Sequence, residues 1–187
     1  KSIMSKDHFG RIGTVTGALW TPQGRKFDGS DDVIDFPAGM FSALTQGTIE
    51  LLVSPNTSDD LFLCYINGSN FIAIANNAAR GVRIYATVGA VLKYDGATPD
   101  SVVPASQFTH VVWTKKGTTH SIYTNNLIQT ITWTNETDKS IYYDTYGTAA
   151  AYSLGRSYLA GWLTGTCGEL RVYNRPLTPT EVTGLFL

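Results

Sequence analysis

Four aspartates surround one predicted turn and form a dense group of acidic side chains. They are Asp28, Asp31, Asp32 and Asp35. Hard cations such as Ca²⁺ bind several carboxylate and carbonyl oxygens that loops supply. The same residues are also typical of turns in which an Asp side chain accepts a hydrogen bond from a nearby amide. The pattern is therefore compatible with a calcium site, for which Asp28 and Asp32 are the best ligands, and with turn chemistry alone.

Aromatic side chains outside clean strand patterns are a second group that could bind a ligand. Sugar-binding sites place an aromatic ring against the apolar face of a pyranose and use amides and carboxylates for its hydroxyls. The rings that we predict for such contacts are Tyr142, Tyr143, Tyr146, Tyr158 and Trp162. The alternative interpretation is structural, because β-rich proteins place many aromatic residues in their cores and on their surfaces.

Polar side chains at predicted loops could complete a sugar site. Asn76, Asn77 and Arg80 follow one predicted strand, and Asn125 and Asn126 form a predicted two-residue hairpin turn that leads into a strand predicted from Leu127 to Thr134. Amide and guanidinium groups at such positions can hydrogen-bond to hydroxyls. Asn also tolerates the positive φ that both central residues of such a turn adopt, so a structural role for this pair is expected as well.

No catalytic residues are predicted. A retaining glycosidase needs two carboxylates about 5 Å apart, and on one strand these would occupy alternate positions, which share a face. None of the predicted strands carries two acidic residues in alternate positions, although carboxylates from separate strands could still meet. The sequence also lacks the G-x-S-x-G pattern of a nucleophile elbow. We therefore expect a protein that is not an enzyme.

The charge balance and the lengths of the apolar runs argue against two partners, nucleic acid and a membrane. Fourteen Lys and Arg against fifteen Asp and Glu leave a formal net charge of -1, which gives no electrostatic basis for binding nucleic acid. No apolar run reaches the length of about eighteen residues that a membrane-spanning helix requires, so we expect no membrane insertion.

Cys64 and Cys167 lie in apolar, strand-like segments, which favours two buried free thiols over a disulfide.

The elements that position these residues are predicted to be short strands. Apolar runs of strand length alternate with Gly, Asn, Asp and Pro along almost the whole chain, a pattern typical of an antiparallel sandwich or barrel. Only the segment after Thr178 predicts a helix. It has Thr178 at the N-cap, Pro179 at the first helical position and Glu181 at the third, the arrangement of a capping box. Residues 1–187 are expected to form a single domain.

Several stretches, in matching order, are similar to motifs of one known family. Phe27–Pro37 is similar to FDGxDDYVxIP, and Gly47–Pro55 is similar to a TIExWVKP strand. Leu163–Leu177 is the most specific match and resembles FxGxIDEVRIYNRAL, although Gly168 stands where an acidic residue is usual. Phe108–Thr114 resembles WHHVAVT, and Tyr123–Asn126 resembles YVNG. In these motifs the chain resembles the concanavalin A-like lectin and glucanase superfamily, in particular its laminin G-like jelly-roll branch.

The resemblance implies two packed antiparallel sheets and a calcium ion at the rim of the sandwich, as in many relatives. It also implies a lectin-like or adhesion module, part of a larger protein outside the cell or on a cell or virion surface, whose partner is a glycan or a surface protein. The alternative is a structural module that binds only protein subunits. A glycoside hydrolase is a third possibility, since some relatives cleave glycans.

Overall fold

In the part of the chain that the structure describes, sixteen β-strands, one α-helix and one 3₁₀ helix form the regular structure. The computed structural model describes residues 4–6, 12–58, 61–156 and 162–186. The strands, numbered β1 to β16 in chain order, are Met4–Lys6, Ile12–Thr16, Leu19–Thr21, Gly24–Asp28, Val33–Asp35, Gly47–Pro55, Leu61–Asn67, Asn70–Asn76, Val82–Val88, Val91–Ala97, Thr109–Lys116, Thr119–Thr124, Leu127–Gln129, Thr132–Asn135, Tyr152–Leu154 and Thr164–Tyr173. Helix α1 is Pro179–Phe186, and a 3₁₀ helix covers Tyr143–Tyr146.

The strands pair into two sheets that enclose one core. Within the described residues, one sheet has nine strands in the order β1-β2-β5-β15-β7-β8-β9-β10-β14. The other has seven strands in the order β13-β12-β11-β6-β16-β4-β3. Every strand pair is antiparallel. The predicted jelly-roll sandwich with a short C-terminal helix is confirmed.

Strand β6 shows how alternation builds this sandwich. Ile49, Leu51 and Val53 are fully buried and point into the core between the sheets. Because successive side chains of a strand point to opposite faces, Glu50 lies on the outer face of the seven-stranded sheet. That face is covered by α1, whose Val182 packs into a second apolar cluster with Val112, Tyr123 and Leu177.

Two local predictions are confirmed in atomic detail. Asn125 and Asn126 connect β12 to β13 with φ values of 47° and 67°, as a type I′ turn requires. At the start of α1, the Thr178 amide donates to Glu181 Oε2 at 2.8 Å, and the Glu181 amide donates to Thr178 Oγ1 at 3.3 Å. This reciprocal pair is the predicted capping box.

The stretch from Leu127 to Thr134, predicted as one strand, is divided between the two sheets. Its first part, β13, pairs with β12 in the seven-stranded sheet, and its second part, β14, pairs with β10 in the nine-stranded sheet. The chain thus passes from one sheet to the other around the side of the sandwich. Each part ends its sheet, so both are edge strands.

The tyrosines around the 3₁₀ helix belong to the core. Tyr142 and Tyr143 have no exposed surface and pack with Trp113, Phe41 and Tyr152. This corrects their prediction as ligand-binding residues, because a fully buried ring has no face open to a ligand. An irregular segment can therefore fill a core as a strand does.

Both cysteines are free and buried. Cys64 donates a hydrogen bond to the Arg156 carbonyl at 3.1 Å, whereas Cys167 lies in the main core. Burial raises the pKa of each thiol to about 12. The two thiols are therefore protonated and act as small apolar side chains.

Candidate functional site

One end of the sandwich collects most of the predicted polar site residues. At this end β4, β6, β8 and β12 finish, and β5, β7, β9, β13 and β16 begin. The register places Asp28 beside Thr164 and Pro55 beside Gly165. We call this end the aspartate rim; its described connecting segments are 17–18, 29–32, 56–58, 77–81, 98–108, 125–126, 155–156 and 162–163.

A group of three carboxylates is the most polar feature of the aspartate rim. One carboxylate oxygen from each of Asp28, Asp31 and Asp32 lies within 4.8 Å of the other two. Asp28 and Asp31 are exposed, whereas Asp32 is buried. Burial raises the pKa of the Asp32 carboxyl, and the charges of Asp28 and Asp31 raise it further, against the lowering effect of a hydrogen bond from the Asp28 amide. The group therefore concentrates negative charge at one point.

Backbone contacts hold this turn in place. The Asp28 amide donates to Asp32 Oδ2 at 2.8 Å, and the Ser30 amide donates to Asp28 Oδ1 at 2.8 Å. These are the turn contacts that the sequence suggested. Gly17, at φ 71°, passes so close that a Cβ there would overlap Asp32 Oδ1. At this positive φ glycine is the unstrained residue, and a side chain there would displace the Asp32 carboxylate.

The donor set fits a calcium ion. Calcium binds oxygen ligands at about 2.3–2.6 Å, so two oxygens on one ion lie at most about 5 Å apart. The three aspartate oxygens meet that limit, and backbone contacts use only one oxygen each of Asp28 and Asp32. A divalent cation would also offset the repulsion that raises the pKa of Asp32. Asp28 and Asp32 would be ligands as predicted, and Asp31 would join them.

Two tryptophans lie at or next to the aspartate rim. Trp162 precedes Leu163 and Thr164, which pairs with Asp28, and its half-buried ring lies 5.9 Å from the guanidinium carbon of the exposed Arg156. Trp20, the second residue of β3, is 71% exposed. Sequence reasoning missed Trp20, because nothing in its local pattern shows that β3 ends its sheet. A large exposed apolar side chain beside polar groups is the composition of a sugar-binding surface.

The predicted polar residues from the loops do reach the aspartate rim, but much of their hydrogen-bonding capacity braces it. Asn76 Nδ2 donates to the Thr57 carbonyl at 3.0 Å, and Asn77 Oδ1 accepts from the Gly81 amide at 2.8 Å. Arg80 donates to the carbonyls of Asn56 and Thr57. In the hairpin turn between β12 and β13, Asn125 Oδ1 accepts from the His110 amide at 2.9 Å. Asn126, the second turn residue, is half-buried.

Unusual backbone conformations also concentrate at this end. Among the described residues, six that are not glycine have positive φ, and five of them are on the aspartate rim: Arg80, Ser101, Ser106, Asn125 and Asn126. Such conformations cost on the order of 1–3 kcal/mol each and cluster where a protein clamps a ligand. Among the described residues, the loops of the aspartate rim therefore hold most of the non-glycine positions with positive φ.

Comparison with models of known families shows which family the chain belongs to. A family model described as the concanavalin A-like lectin/glucanases superfamily matches residues 28–183, which include the aspartate turn and strands β5 to β16. The chain belongs to this superfamily. The search of curated proteins gives no match to this concanavalin A-like chain.

Solved structures share the concanavalin A-like fold at low sequence identity. Domain 4 of AbnA, an extracellular GH43 arabinanase from Geobacillus stearothermophilus solved with arabinotriose, has 16% identity and a TM-score of 0.65 over 98% of this chain and 80% of its own. A mutant Trypanosoma rangeli sialidase with trans-sialidase activity has 19% identity and a TM-score of 0.72 over 100% of this chain, which spans only 31% of the sialidase. A heptameric pentraxin from Limulus polyphemus has 14% identity and a TM-score of 0.57 over 91% of this chain and 79% of its own.

Tyr146, another predicted aromatic of this concanavalin A-like chain, lies away from the aspartate rim. The Tyr146 hydroxyl lies 2.7 Å from the Phe71 carbonyl and 3.1 Å from the Thr87 carbonyl, near the start of β8 and the end of β9. That is the opposite end of the sandwich. Tyr158 lies outside the described residues. Within the described chain, no helix is long and apolar enough to span a membrane.

Proposed function

We propose that the chain is a non-catalytic carbohydrate-binding module that binds glycans at the aspartate rim. It serves a larger protein outside the cell or on a cell or virion surface. The observation that carries this proposal is the group of three aspartate carboxylates at one end of the sandwich. Trp162 lies two residues before Thr164, the pairing partner of Asp28, and the exposed Trp20 lies on β3 next to this end. Likeness to the arabinanase domain solved with arabinotriose supports the same class of ligand.

The chemistry of the aspartate rim suits a sugar. The exposed ring of Trp20 offers an apolar surface to a pyranose or furanose, and the carboxylates of Asp28 and Asp31 accept hydrogen bonds from hydroxyls. A calcium ion held by the aspartates would supply a further contact for hydroxyl oxygens and would rigidify the turn. A preformed site loses less entropy on binding, which raises affinity.

Calcium is expected to stabilise the domain through the aspartate turn. At a free concentration 100-fold above its Kd, an ion stabilises the folded state by about 2.7 kcal/mol, which raises Tm by roughly 5–10 °C for a domain of this size. Thermal unfolding in millimolar calcium and in chelator measures this shift. Asp31→Asn is expected to remove most of it without breaking the turn, because the described turn contacts involve Asp28 and Asp32. Asp100→Asn, another exposed aspartate of the aspartate rim, should retain the full shift. Equal Tm values with calcium and chelator would contradict the metal site.

Removal of the exposed tryptophan is expected to weaken glycan binding at least tenfold, about 1.4 kcal/mol. Trp20→Ala deletes the stacking surface and leaves the core intact because the side chain is 71% exposed. Leu19→Ala is the matched control, since Leu19 is 66% exposed and points to the other face of the same strand. The assay is a multivalent glycan array, followed by calorimetry on each positive glycan. Equal losses in both variants would show that Trp20 does not stack on the sugar.

The same array separates binding from hydrolysis. The spacing of the aspartate oxygens is close to the 5 Å that a retaining glycosidase needs. However, Asp32 is buried and accepts from the Asp28 amide, which favours a structural or metal-binding use. Release of reducing sugar from a bound glycan would overturn the non-catalytic assignment. Absence of binding to every multivalent glycan would favour the alternative of a structural module that binds protein.

A further inference from the structure

The strand β13 leaves an apolar edge at one side of the seven-stranded sheet. It is the terminal strand of that sheet, and among the described residues no strand pairs with its outer side. Leu127 is 68% exposed and Ile128 is 66% exposed. A pair of aliphatic side chains on an open strand edge invites pairing with another strand.

Charged side chains and proline, two of the usual protections of an edge strand, are missing here. The strand has only three residues, which limits the edge, but the sequence from Gly117 to Asn135 contains no Lys, Arg, Asp, Glu or Pro. Its only ionisable group near neutrality, His120, is held neutral by burial, which lowers its pKa to about 4. At the other edge of the same sheet, β3 has Arg25 and Lys26 directly opposite on β4. The two edges therefore differ in charge although both expose apolar side chains.

Backbone geometry shows which groups the edge offers. In antiparallel strands, residues alternate between pointing their N–H and C=O groups at the partner and away from it. The two-residue turn at Asn125–Asn126 pairs Leu127 with Thr124, and the register then pairs Gln129 with Ile122. These residues direct their peptide groups to β12. Ile128 therefore presents its N–H and C=O groups to the open edge.

We propose that β13 is a homodimer interface, at which β13 of a second copy pairs antiparallel about a two-fold axis close to Ile128. The two seven-stranded sheets then form one continuous sheet. Ile128 of each copy exchanges backbone hydrogen bonds with its equivalent, and the Ile128 side chains meet across the axis. This interface is remote from β3 and Trp20, and the proposal does not rest on glycan binding.

A second copy is the occupant that the charge pattern favours. Pairing of the strand with itself brings no like charges together, because the whole stretch is uncharged, and antiparallel self-pairing is the closed two-fold arrangement that most homodimers adopt. The strand is short, and stable interfaces bury roughly 800 Å² per partner, so we expect a weak dimer. Such a dimer would present two aspartate rims to one multivalent ligand and raise avidity.

Analytical ultracentrifugation over about 1–500 µM tests the proposal, since that range brackets a weak dimer. The wild-type chain is expected to shift reversibly from monomer to dimer. Ile128→Lys should remain monomeric at every concentration, because it places two like charges across the axis, and its Tm should be unchanged because the side chain is exposed. Leu19→Lys, an equally exposed residue at the opposite edge of the sheet, should dimerise as the wild type does.

A cross-linking measurement locates the interface independently. Cα atoms of a hydrogen-bonded antiparallel pair lie about 5.5 Å apart, within the range of a disulfide. Under mild oxidation Ile128→Cys is expected to form a covalent dimer at least tenfold faster than Leu19→Cys, and the two native thiols are buried and do not compete. A wild type that stays monomeric at the highest concentration, a dimer that survives Ile128→Lys, or equal cross-linking of the two cysteine variants would each overturn the proposal.

Discussion

Replacement of Glu50 by alanine is expected to destabilise the folded chain by about 3–5 kcal/mol, because it removes the anion of a buried charge cluster. Glu50 Oε1 accepts from His110 Nε2 at 3.0 Å and from the Arg171 guanidinium at 3.2 Å, and Oε2 accepts from the Tyr173 hydroxyl at 2.7 Å. The Glu50 side chain is only 4% exposed. Its loss leaves the buried His110 Nε2 and the half-buried Tyr173 hydroxyl without this acceptor and leaves Arg171 with Glu169 as its remaining carboxylate, on the three central strands β11, β6 and β16.

The pKa of Glu50 supports this reading of the cluster. Burial acts to raise the pKa of the Glu50 carboxyl, but hydrogen bonds from His110 and Tyr173 and the charge of Arg171 outweigh it. The net pKa lies below the usual value. The folded protein therefore favours the carboxylate, and the surrounding donors are matched to it.

The neighbouring Glu169 provides a matched control. It also pairs with Arg171, at 2.8 Å, but both side chains are 45% exposed. Glu169→Ala should cost at most about 1 kcal/mol, as exposed ion pairs do. Urea unfolding of the two variants measures the difference. Equal destabilisation by both substitutions would show that burial of Glu50 contributes nothing, and a cost below about 1 kcal/mol for Glu50→Ala would refute the cluster.

Local signals explain what sequence reasoning could predict. The alternation in β6, the Asn125–Asn126 turn and the Thr178–Glu181 capping box each depend on residues close together in the chain. Glu169 and Arg171, alternate residues of β16, likewise form an ion pair on one strand face. In each case the chemistry of neighbours in sequence or on one strand face decides the outcome.

The rest depends on strand order, which one sequence does not reveal. Tyr142 and Tyr143 lie in a segment without periodicity, so no pattern could show that they face the core. Trp20 is exposed because β3 is an edge strand, and the predicted strand from Leu127 divides because it passes between sheets. The aspartate rim likewise forms only when the two sheets bring seven separated loops to one end.

Burial of His120 should make the domain sensitive to mild acid. Its ring stacks on Trp113, and Nδ1 accepts from Trp113 Nε1 at 3.2 Å while Nε2 donates to the Lys139 carbonyl at 2.9 Å. Burial, helped by the charges of Lys115 and Lys139, lowers the pKa of His120 from 6.5 to about 4, although the bond to the Lys139 carbonyl opposes this change. Protonation of His120 Nδ1 would make it a donor that faces the Trp113 Nε1–H donor, so the hydrogen bond between them would be lost.

The unfolded chain takes up a proton at this histidine near pH 6.5, whereas the folded chain takes it up only near pH 4. Between these values the unfolded state binds more protons, so stability falls as the pH falls. The total loss is about 3 kcal/mol, since each pKa unit corresponds to about 1.4 kcal/mol. Urea unfolding at several pH values across this window measures the slope.

His120→Gln separates this effect from acid loss elsewhere. Its amide can donate to the Lys139 carbonyl and accept from Trp113 Nε1 but does not titrate, so the slope between pH 6.5 and 4 should largely disappear whatever its stability at neutral pH. Because the pKa of Glu50 is lowered on folding, the stability that its carboxylate contributes is lost only below its ordinary value of 4.5. The glutamine variant should therefore keep the loss at lower pH, and Glu50→Gln should reduce it. A slope above pH 4.5 that survives His120→Gln would show that another group controls the acid response.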